Sequence, residues 1–530
     1  MDYDYVIVGG GSAGCVMAGR LSEDPARRVL LLEAGEHEGG LWSRIPLGVG
    51  RILNDTSRTW TLQTEPAAAT DNIARVWHSG KCLGGSSAVN GLLYVRGHPE
   101  RYDAWGRIAG EDWSHAQCLP AFQRLESFAG PAGASRGRDG PLSVSMAGAD
   151  PLSDRFLRAC ESLGYARIDD YNDTPGIGAS YLQLSARRGL RCDAARAWLR
   201  EARRRPNLTI LSGVVARRVL LDGGRARAVV ARGGGVEREF AATREVVLTA
   251  GAVRTPQLLQ VSGIGPAEVL ERAGVPLRLR NDAVGAHLQD HVMVRLCFRT
   301  REPGTINAML ASTPRLVAEA LRFALTRGGL LSTASLKSTL YAASDPARST
   351  PDLRIQLALI SATDRIPKSL RAGFDAGSAF QIGVYGLYPQ SSGHVRISAP
   401  SFDVPPVVQP NYLADPHDRA VLLSGLRIAR RIAGAPPLRE VIEEEIRPGA
   451  AVASDDELLG YARKTGQTCW HPVSTCRMGP PDSAVVDAAG RVHGLSGLRI
   501  ADASVFPLMT SSNTNAPTLM LAEKIAQTMR

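Results

Sequence analysis

The sequence predicts an α/β protein with two parts: a Rossmann-like nucleotide-binding domain built on a parallel sheet, and a second, substrate-binding domain with a largely antiparallel sheet flanked by helices. Two observations predict the first part. An apolar strand, a glycine-rich turn and a helical pattern open the chain, and a similar strand, turn and helix recur around residue 250. Helical and alternating segments with proline breaks after residue 291 predict the second part.

The opening βαβ pattern is the strongest local signal. A first apolar run breaks on Gly9-x-Gly11-x-x-Gly14, a helical pattern follows, and a second apolar run ends at Glu33. Gly9 permits a tight turn, Gly11 lacks the Cβ that would keep a pyrophosphate away, and Gly14 lets the helix approach the strand. Glu33 follows Gly14 by nineteen residues, where it can accept hydrogen bonds from an adenosine ribose. These spacings predict a dinucleotide site.

The same turn also matches Gly-x-Ser-x-Gly, the nucleophile elbow of α/β hydrolases, which would make Ser12 a nucleophile. Such an elbow normally follows several earlier strands, whereas only a few residues precede this one. A hydrolase would also leave Glu33 without a role. The hydrolase is therefore the disfavoured alternative.

A second glycine-rich loop runs from Gly80 to Gly91. It is not a P-loop, because Cys82 stands where Ser or Thr should bind Mg²⁺ and no glycine lies five residues before Gly80. As a loop near a nucleotide site, it can bring backbone N–H groups and Asn90 close to a flat or anionic ligand.

The remaining pattern predicts the domain organisation. A hairpin turn is expected at 222–224, a buried strand at 245–249 leads into a helix from Gly251, and a closing helix is expected at 518–527. We expect residues 1–155, 205–290 and 465–530 to form the dinucleotide-binding domain. Residues 156–204 and 291–464 then form the substrate-binding domain.

Composition excludes several classes of protein. The 530 residues are 44% apolar and 22% charged, as in soluble globular proteins, and the net charge of +10 is not gathered into a basic helix or aromatic-basic platform for nucleic acid. Eight scattered cysteines show no metal spacing, so we expect reduced thiols and no metal. We expect no transmembrane segment and a cytoplasmic location, and the oligomeric state stays open.

The chain resembles the glucose-methanol-choline (GMC) oxidoreductase family, flavoenzymes that oxidise alcohols. The motifs that carry the resemblance follow the family's order along the chain. They are 6–33, 80–90, 251–265, 393–396, 410–413, 470–472, 475–479, 502–504 and 513–517.

The resemblance implies non-covalent FAD, because residues 86–91 contain no histidine to which a flavin could be linked. It implies that the pyrophosphate lies on the opening glycines, the ribose on Glu33, and the isoalloxazine near Cys82, Asn90 and Asp502. The implied cofactor residues are Gly9, Gly11, Ser12, Ala13, Gly14, Glu33, Ala34, Cys82, Gly85, Asn90, Gly91, Asp502, Ala503 and Asn513.

The chemistry of alcohol oxidation needs a base on the hydroxyl and a donor that steadies the oxygen, because the developing alkoxide drives hydride toward flavin N5. By resemblance His471 is the base and Asn513 its partner, with Asn515 the less favoured neighbour. Taken alone, a histidine before proline is typical of a turn, and the asparagines could simply make Asx turns.

Six other histidines match no catalytic position of the family and are expected to be structural. They are His78, His98, His115, His287, His291 and His493.

The expected activity is FAD-dependent oxidation of a primary alcohol to the aldehyde by a choline dehydrogenase-like oxidase or dehydrogenase. The reduced flavin would be reoxidised by O₂ or another electron acceptor, which would approach past Cys469 and Trp470. Some relatives are hydroxynitrile lyases that keep the flavin without net oxidation, so a lyase remains the alternative. The sequence does not indicate which small-molecule alcohol is the substrate.

Overall fold

A computed structural model describes residues 2–529 apart from 37, 39, 132 and 364–372. The described residues form two seven-stranded sheets and several small ones, connected by helices. The α-helices are Ser12–Leu21, Gly40–Arg44, Val49–Ile52, Pro99–Ala109, His115–Leu125, Pro151–Ser162, Arg200–Ala202, Gly251–Val261, Ala267–Arg272, Ile306–Leu310, Thr313–Thr326, Pro416–Gly434, Pro436–Arg439, Asp455–Thr465 and Asn515–Thr528. No helix within these described ranges is long and apolar enough to cross a membrane.

The first sheet contains the predicted βαβ unit. In spatial order its strands are Leu208–Ser212, Val29–Glu33, Tyr3–Val8, Val236–Leu248, Arg225–Gly233 and Val214–Asp222, and Leu498–Ile500 also pairs with Val236–Leu248. Val6 lies opposite Leu30 on one side and Val246 on the other, both in parallel register. The apolar runs are continuous because these central strands are buried on both faces.

The helix Ser12–Leu21 packs between this sheet and the C-terminal helix Asn515–Thr528. Gly14 makes the close approach possible, since a Cβ at this position would lie 1.9 Å from the carbonyl oxygen of Gly9. The first turn of the chain and its last helix therefore form one packed unit, although they lie at opposite ends of the sequence.

The second sheet is antiparallel, as predicted. Its strands are Ile442–Arg447, Val292–Thr300, Ala379–Gly386, Leu353–Ala358, Leu336–Ala342 and Gly178–Tyr181, with Gln467–Thr468 also pairing to Val292–Thr300. The helix Pro416–Gly434 covers one face through apolar residues such as Val421 and Leu426. The other face is turned toward the cavity described below.

Five small sheets complete the strands. Four of them, among the described residues, are pairs: Thr59–Gln63 with Val76–Gly80, Ala186–Arg187 with Leu190–Arg191, Ile264–Gly265 with Leu279–Arg280, and His394–Arg396 with Val407–Gln409. In the fifth, Leu142–Met146 lies between Glu126–Phe128 and Gln183–Leu184. The α/β fold class predicted from the sequence is confirmed. The exact division into domains at 155, 204, 290 and 464 stays a prediction.

One strand pairing positions the chemistry. Val292, at the start of a second-sheet strand, pairs with Thr468, where the chain returns toward the first sheet. The Cys469 N–H donates to the carbonyl of His291. Because of this register, residues 291 and 471 lie side by side although 180 positions separate them.

Candidate active site

A large cavity lies between the two sheets. Its volume is about 1340 Å³, above the roughly 300–1,000 Å³ of most small-molecule pockets. One end is lined by residues that follow the parallel strands of the first sheet, among them Gly9, Glu33 and Ala250. The other end is lined by the second sheet, including Met293 and Gln356. In open α/β sheets, ligands bind at the carboxyl ends of the strands.

The first end is a cradle made by two glycine loops, which we call the glycine cradle (residues 9–14 and 84–91). The Gly84 N–H donates to the carbonyl of Gly10 at 2.8 Å. Gly85 has φ +51°, and a Cβ there would lie 2.6 Å from the Cα of Gly11. The two backbones meet so closely that a side chain at Gly85 would separate them.

Of the residues predicted to bind the cofactor in the opening turn, most line the cavity and one serves packing inside the protein. Gly9, Gly11, Ser12 and Ala13 line the cavity at the N-terminus of the Ser12–Leu21 helix, where backbone N–H groups favour an anion. Gly14 does not line the cavity and serves the helix–strand contact instead.

Glu33 closes the cradle on one side. Its carboxylate accepts hydrogen bonds from the N–H groups of Gly10 and Gly35, both at 2.8 Å, and only 6% of the residue is exposed. Burial raises the pKa of Glu33 to about 7, against the lowering effect of these two bonds. Glu33 and Ala34 both line the cavity. A buried carboxylate on the wall is suited to bind a neutral hydroxyl pair.

The second glycine loop contributes Gly85, Asn90 and Gly91 to the wall. The Asn90 Oδ1 accepts from Nη1 of Arg191 at 2.8 Å, which fixes the amide. Cys82 lies elsewhere: its thiol is buried in a small apolar cluster with Ile52, Leu53, Ala88 and Val89, and it does not line the cavity. The loop presents its backbone, not this thiol.

Asp502 and Ala503 line the cavity where the C-terminal segment returns. The Asp502 carboxylate accepts from the Gly251 N–H at 2.8 Å and from the Thr255 hydroxyl at 2.6 Å. It therefore ties the start of the Gly251–Val261 helix, the recurring glycine turn of the sequence, to the wall.

His471 stands at the junction of the two ends and is 8% exposed. Its backbone N–H donates to Oδ1 of Asp290 at 2.8 Å. The same carboxylate accepts from the hydroxyl of Thr468 at 2.5 Å and from that of Tyr412. This anchored carboxylate fixes the sharp turn in which Trp470 has φ +58°.

A chain of hydrogen bonds assigns the tautomer of His471. His291 Nε2 lies 2.9 Å from the carbonyl oxygen of Leu387, so it must carry a proton and donate. His291 Nδ1 is then the bare acceptor, and His471 Nδ1, 3.0 Å away, must donate to it. His471 Nε2 consequently carries the lone pair. Burial lowers the pKa of His291 to about 4, which keeps that ring neutral near pH 7.

Asn513 completes the arrangement. Its Nδ2 lies 2.9 Å from Nε2 of His471 and donates to it, while its Oδ1 accepts from Nη1 of Arg354 at 2.7 Å. Arg354 is 0% exposed and also donates to Thr339 and Tyr385. An arginine can only donate, so it holds the amide of Asn513 with the nitrogen toward His471.

Asn515 has a different environment. Its Oδ1 accepts from the Ser12 hydroxyl at 2.8 Å, at the glycine cradle. Asn513 therefore donates to His471, whereas the side chain of Asn515 binds Ser12. This contact gives Ser12 an amide oxygen as partner, which cannot take up a proton, so the nucleophile elbow lacks the base it requires.

Two residues of the hydrogen-bond network around His471 were not predicted from the sequence. His291 was expected to be structural, and Arg354 was not singled out. Neither belongs to a local motif, since each reaches the site through pairing in the second sheet. The polar run Gln289-Asp290-His291 before an apolar strand is the signal that could have drawn attention to His291. Cys469 and Trp470 line the cavity, as expected.

Similarity to known proteins extends over nearly the whole chain. Family models described as GMC oxidoreductase match residues 3–293 and 389–522. The "Oxygen-dependent choline dehydrogenase" of Photobacterium profundum is 36% identical over 99% of this chain and 92% of its own length. The "Alcohol dehydrogenase [acceptor]" of Pseudomonas putida is 35% identical, over 99% of this chain and 95% of its own.

Solved structures of similar proteins also superpose over nearly the whole chain. Pyridoxine 4-oxidase from Mesorbium loti superposes with a TM-score of 0.90 at 33% identity, covering 99% of both chains. Formate oxidase from Aspergillus oryzae RIB40, solved as a variant to study FAD modification, superposes with a TM-score of 0.91 at 25% identity, covering 99% of this chain and 97% of its own.

Proposed function

The chain belongs to the GMC oxidoreductase family, and on that premise we propose that it oxidises a primary alcohol to the aldehyde with non-covalently bound FAD. The observation that carries the proposal is the tautomer of His471. Its Nε2 lone pair and the Asn513 amide meet on the wall of the cavity that also contains the glycine cradle.

The cradle fits FAD in three respects. It offers the N-terminus of a ten-residue helix to a pyrophosphate. Beside it, the ideal Cβ position of Gly11 has no neighbour closer than 3.9 Å, so the backbone there is open to a ligand. Glu33 offers a buried acceptor to a ribose. When bound, FAD supplies the hydride acceptor that no side chain can provide.

The residues at the catalytic end of the cavity accept the proton of the substrate hydroxyl. A hydroxyl that displaces the Asn513 N–H from His471 Nε2 gives up its proton to that nitrogen, because Nδ1 already carries one. The second Nδ2 proton of Asn513 can donate to the same oxygen and stabilise the negative charge that develops there. Loss of the hydroxyl proton to His471 and of a hydride from the adjacent carbon converts the alcohol to the aldehyde.

The non-covalent state rests on the second glycine loop. Ser86 to Gly91 contains no histidine, and burial raises the pKa of the Cys82 thiol to about 12, which leaves it un-ionised and unreactive. Denaturation with acid should therefore release all yellow colour into the supernatant. Flavin that stays with the precipitated chain would contradict this part of the proposal.

Anaerobic mixing with a series of primary alcohols tests the activity. At least one alcohol should bleach the flavin, and the aldehyde should form in equal amount. Re-admission of O₂, or of an artificial dye, then shows which acceptor restores the colour. Flavin that stays oxidised while a cyanohydrin is cleaved would show a hydroxynitrile lyase and would end the proposal.

A further inference from the structure

The far end of the cavity has a chemical character of its own, and we call it the substrate arm. It runs from Met293 along the second sheet, beneath the helix Thr313–Thr326. That helix presents Leu316, Ala320 and Phe323 to the arm at helical spacing, and Ile360 and Phe374 continue the apolar wall. Such a wall favours an aliphatic chain, since each CH₂ group buried against it is removed from water.

The charged groups on the described wall of the substrate arm favour an anion over a cation. The carboxylates that line it, within the described part of the chain, are Glu33 and Asp502, and both lie at the cradle end. The substrate arm instead carries Arg295. A quaternary ammonium group requires a carboxylate or an aromatic cage, and a guanidinium on the wall repels it.

Arg295 is available for a ligand. It lies two residues beyond Met293 on the same strand, so both side chains point to the cavity side of the sheet. Its Nη1 lies 3.5 Å from Oε1 of Gln381, which is long for a hydrogen bond. No ion pair joins it to a carboxylate of any residue that the structure describes. A guanidinium with five donors matches a carboxylate in two-point geometry.

The spacing sets the length of the chain. His291, which touches His471, precedes Arg295 by four residues. Extended backbone separates their Cα atoms by about 13 Å, so a substrate that reaches from His471 to Arg295 is a chain of several carbon atoms and not a small alcohol.

We propose that the substrate is an unbranched, medium-chain primary alcohol whose far end carries a carboxylate that binds Arg295. This inference rests on the proposed function and supplies its substrate class. The hydroxyl lies at His471, the methylene chain fills the substrate arm, and the anion pairs with the guanidinium.

Steady-state kinetics with a dye acceptor compare 10-hydroxydecanoate, 1-decanol and choline. The ω-carboxylate should raise kcat/KM over 1-decanol by about tenfold or more, the amount expected from a charge-assisted hydrogen bond. Choline should be the poorest of the three. A rate for 1-decanol that equals or exceeds that for 10-hydroxydecanoate, or a preference for choline, would overturn the assignment.

Substitution of the guanidinium tests the residue. Arg295→Met should reduce the ratio of the two kcat/KM values to about one, whereas Arg295→Lys should keep part of the preference. Arg299→Met is the matched control, since Arg299 lies on the same strand, pairs with Glu444 and does not line the cavity. A preference that survives Arg295→Met would exclude Arg295 as the anchor.

A binding measurement separates this inference from the proposed activity. Decanoate has no hydroxyl to oxidise, so calorimetry on the yellow protein reports the arm alone. Decanoate should bind at least tenfold more tightly than decyltrimethylammonium. The Arg295→Met substitution should lower the affinity for decanoate about tenfold. If no alcohol bleaches the flavin but decanoate binds in this way, the activity fails and the anion site stands. Equal binding of the two ions would refute the site itself.

Discussion

The two ends of the cavity are specified in different ways. The glycine cradle is made of backbone, and the residues that shape each loop lie within a few positions of one another. The catalytic end is made of side chains, and its hydrogen bonds join residues 42, 159 and 180 positions apart. A short motif can therefore encode the first end, but only the register of two sheets can encode the second.

The difference also concerns how each end handles protons. The cradle presents N–H groups whose state does not change with pH. At the catalytic end, the proton on each ring nitrogen is determined by its neighbour, from the Leu387 carbonyl to the Arg354 guanidinium. Substitutions in the cradle should thus weaken binding of the cofactor. Substitutions at the catalytic end should lower the turnover rate and leave the cofactor bound.

Gly85→Val should have the largest effect. A Cβ at Gly85 would lie 2.6 Å from the Cα of Gly11, and φ is +51°, so the two loops must move apart. We expect the variant to purify almost without flavin and without activity. The absorbance ratio at 450 and 280 nm measures the loss.

Gly148→Val is the control for that variant. Gly148 is exposed, its φ is not positive, and a Cβ there would meet nothing within 4 Å. It should keep its flavin. A yellow Gly85→Val protein would show that contact between the loops does not shape the cofactor site.

His471→Ala should come next. Loss of a general base lowers turnover by roughly 10²–10⁴, yet the side chain is not part of the glycine cradle, so flavin content should stay normal. The rate of anaerobic bleaching by alcohol measures the change. His417→Ala, at the exposed start of the Pro416–Gly434 helix, should behave as wild type. Bleaching at a near-normal rate would remove His471 from its proposed role.

Arg354→Met should lower turnover about tenfold, in line with the loss of a charge-assisted hydrogen bond. Without the guanidinium, the Asn513 amide is free to turn its oxygen toward His471, where it would repel the lone pair. The informative measurement is a double-mutant cycle on the bleaching rate. In the His471→Ala background Arg354→Met should have no further effect. Additive losses would indicate that Arg354 acts only through general stability.

The fold could be predicted where the information is local. The strand, turn and helix of residues 3–33 are encoded by apolar runs and glycines, and the hairpin at 222–224 by its turn residues. The register that places Val292 opposite Thr468 is set by the packing of whole sheets, and no short pattern contains it.

The residues of the site also fall into those that a local motif predicts and those that only the fold reveals. His471 and Asn513 could be proposed because each lies in a family motif, and the cavity brings them together. His291 and Arg354 could not, because their significance arises only from what the fold places beside them. Cys82 shows the converse: its loop is correctly a wall of the cavity, but the thiol points into an apolar cluster, which local sequence does not reveal.

The smallest expected effect is one of stability, and it follows from the buried ring of His291. Its pKa is about 4 in the folded protein, because burial disfavours the charged ring, against an ordinary value near 6.5. As pH falls from 6.5 to 4, the unfolded chain takes up a proton that the folded protein cannot. Folding should therefore lose up to roughly 3 kcal/mol over this range and lose none of it above pH 7.

His291→Asn removes that titration while keeping one donor and one acceptor beside Leu387 and His471. The variant should be less stable than wild type at pH 7, and the gap between their urea midpoints should narrow as pH falls toward 4. His417→Asn, at an exposed position, is the control and should have the urea midpoint of wild type at pH 7. Parallel curves for His291→Asn and wild type would mean that the folded and unfolded chains protonate this ring equally readily, so that burial does not protect its neutral form. A gap that widens as pH falls would mean that the folded protein favours the charged ring. That ring would then donate from both nitrogens, His471 would hold its lone pair on Nδ1, and Nε2 could no longer accept the proton of an alcohol.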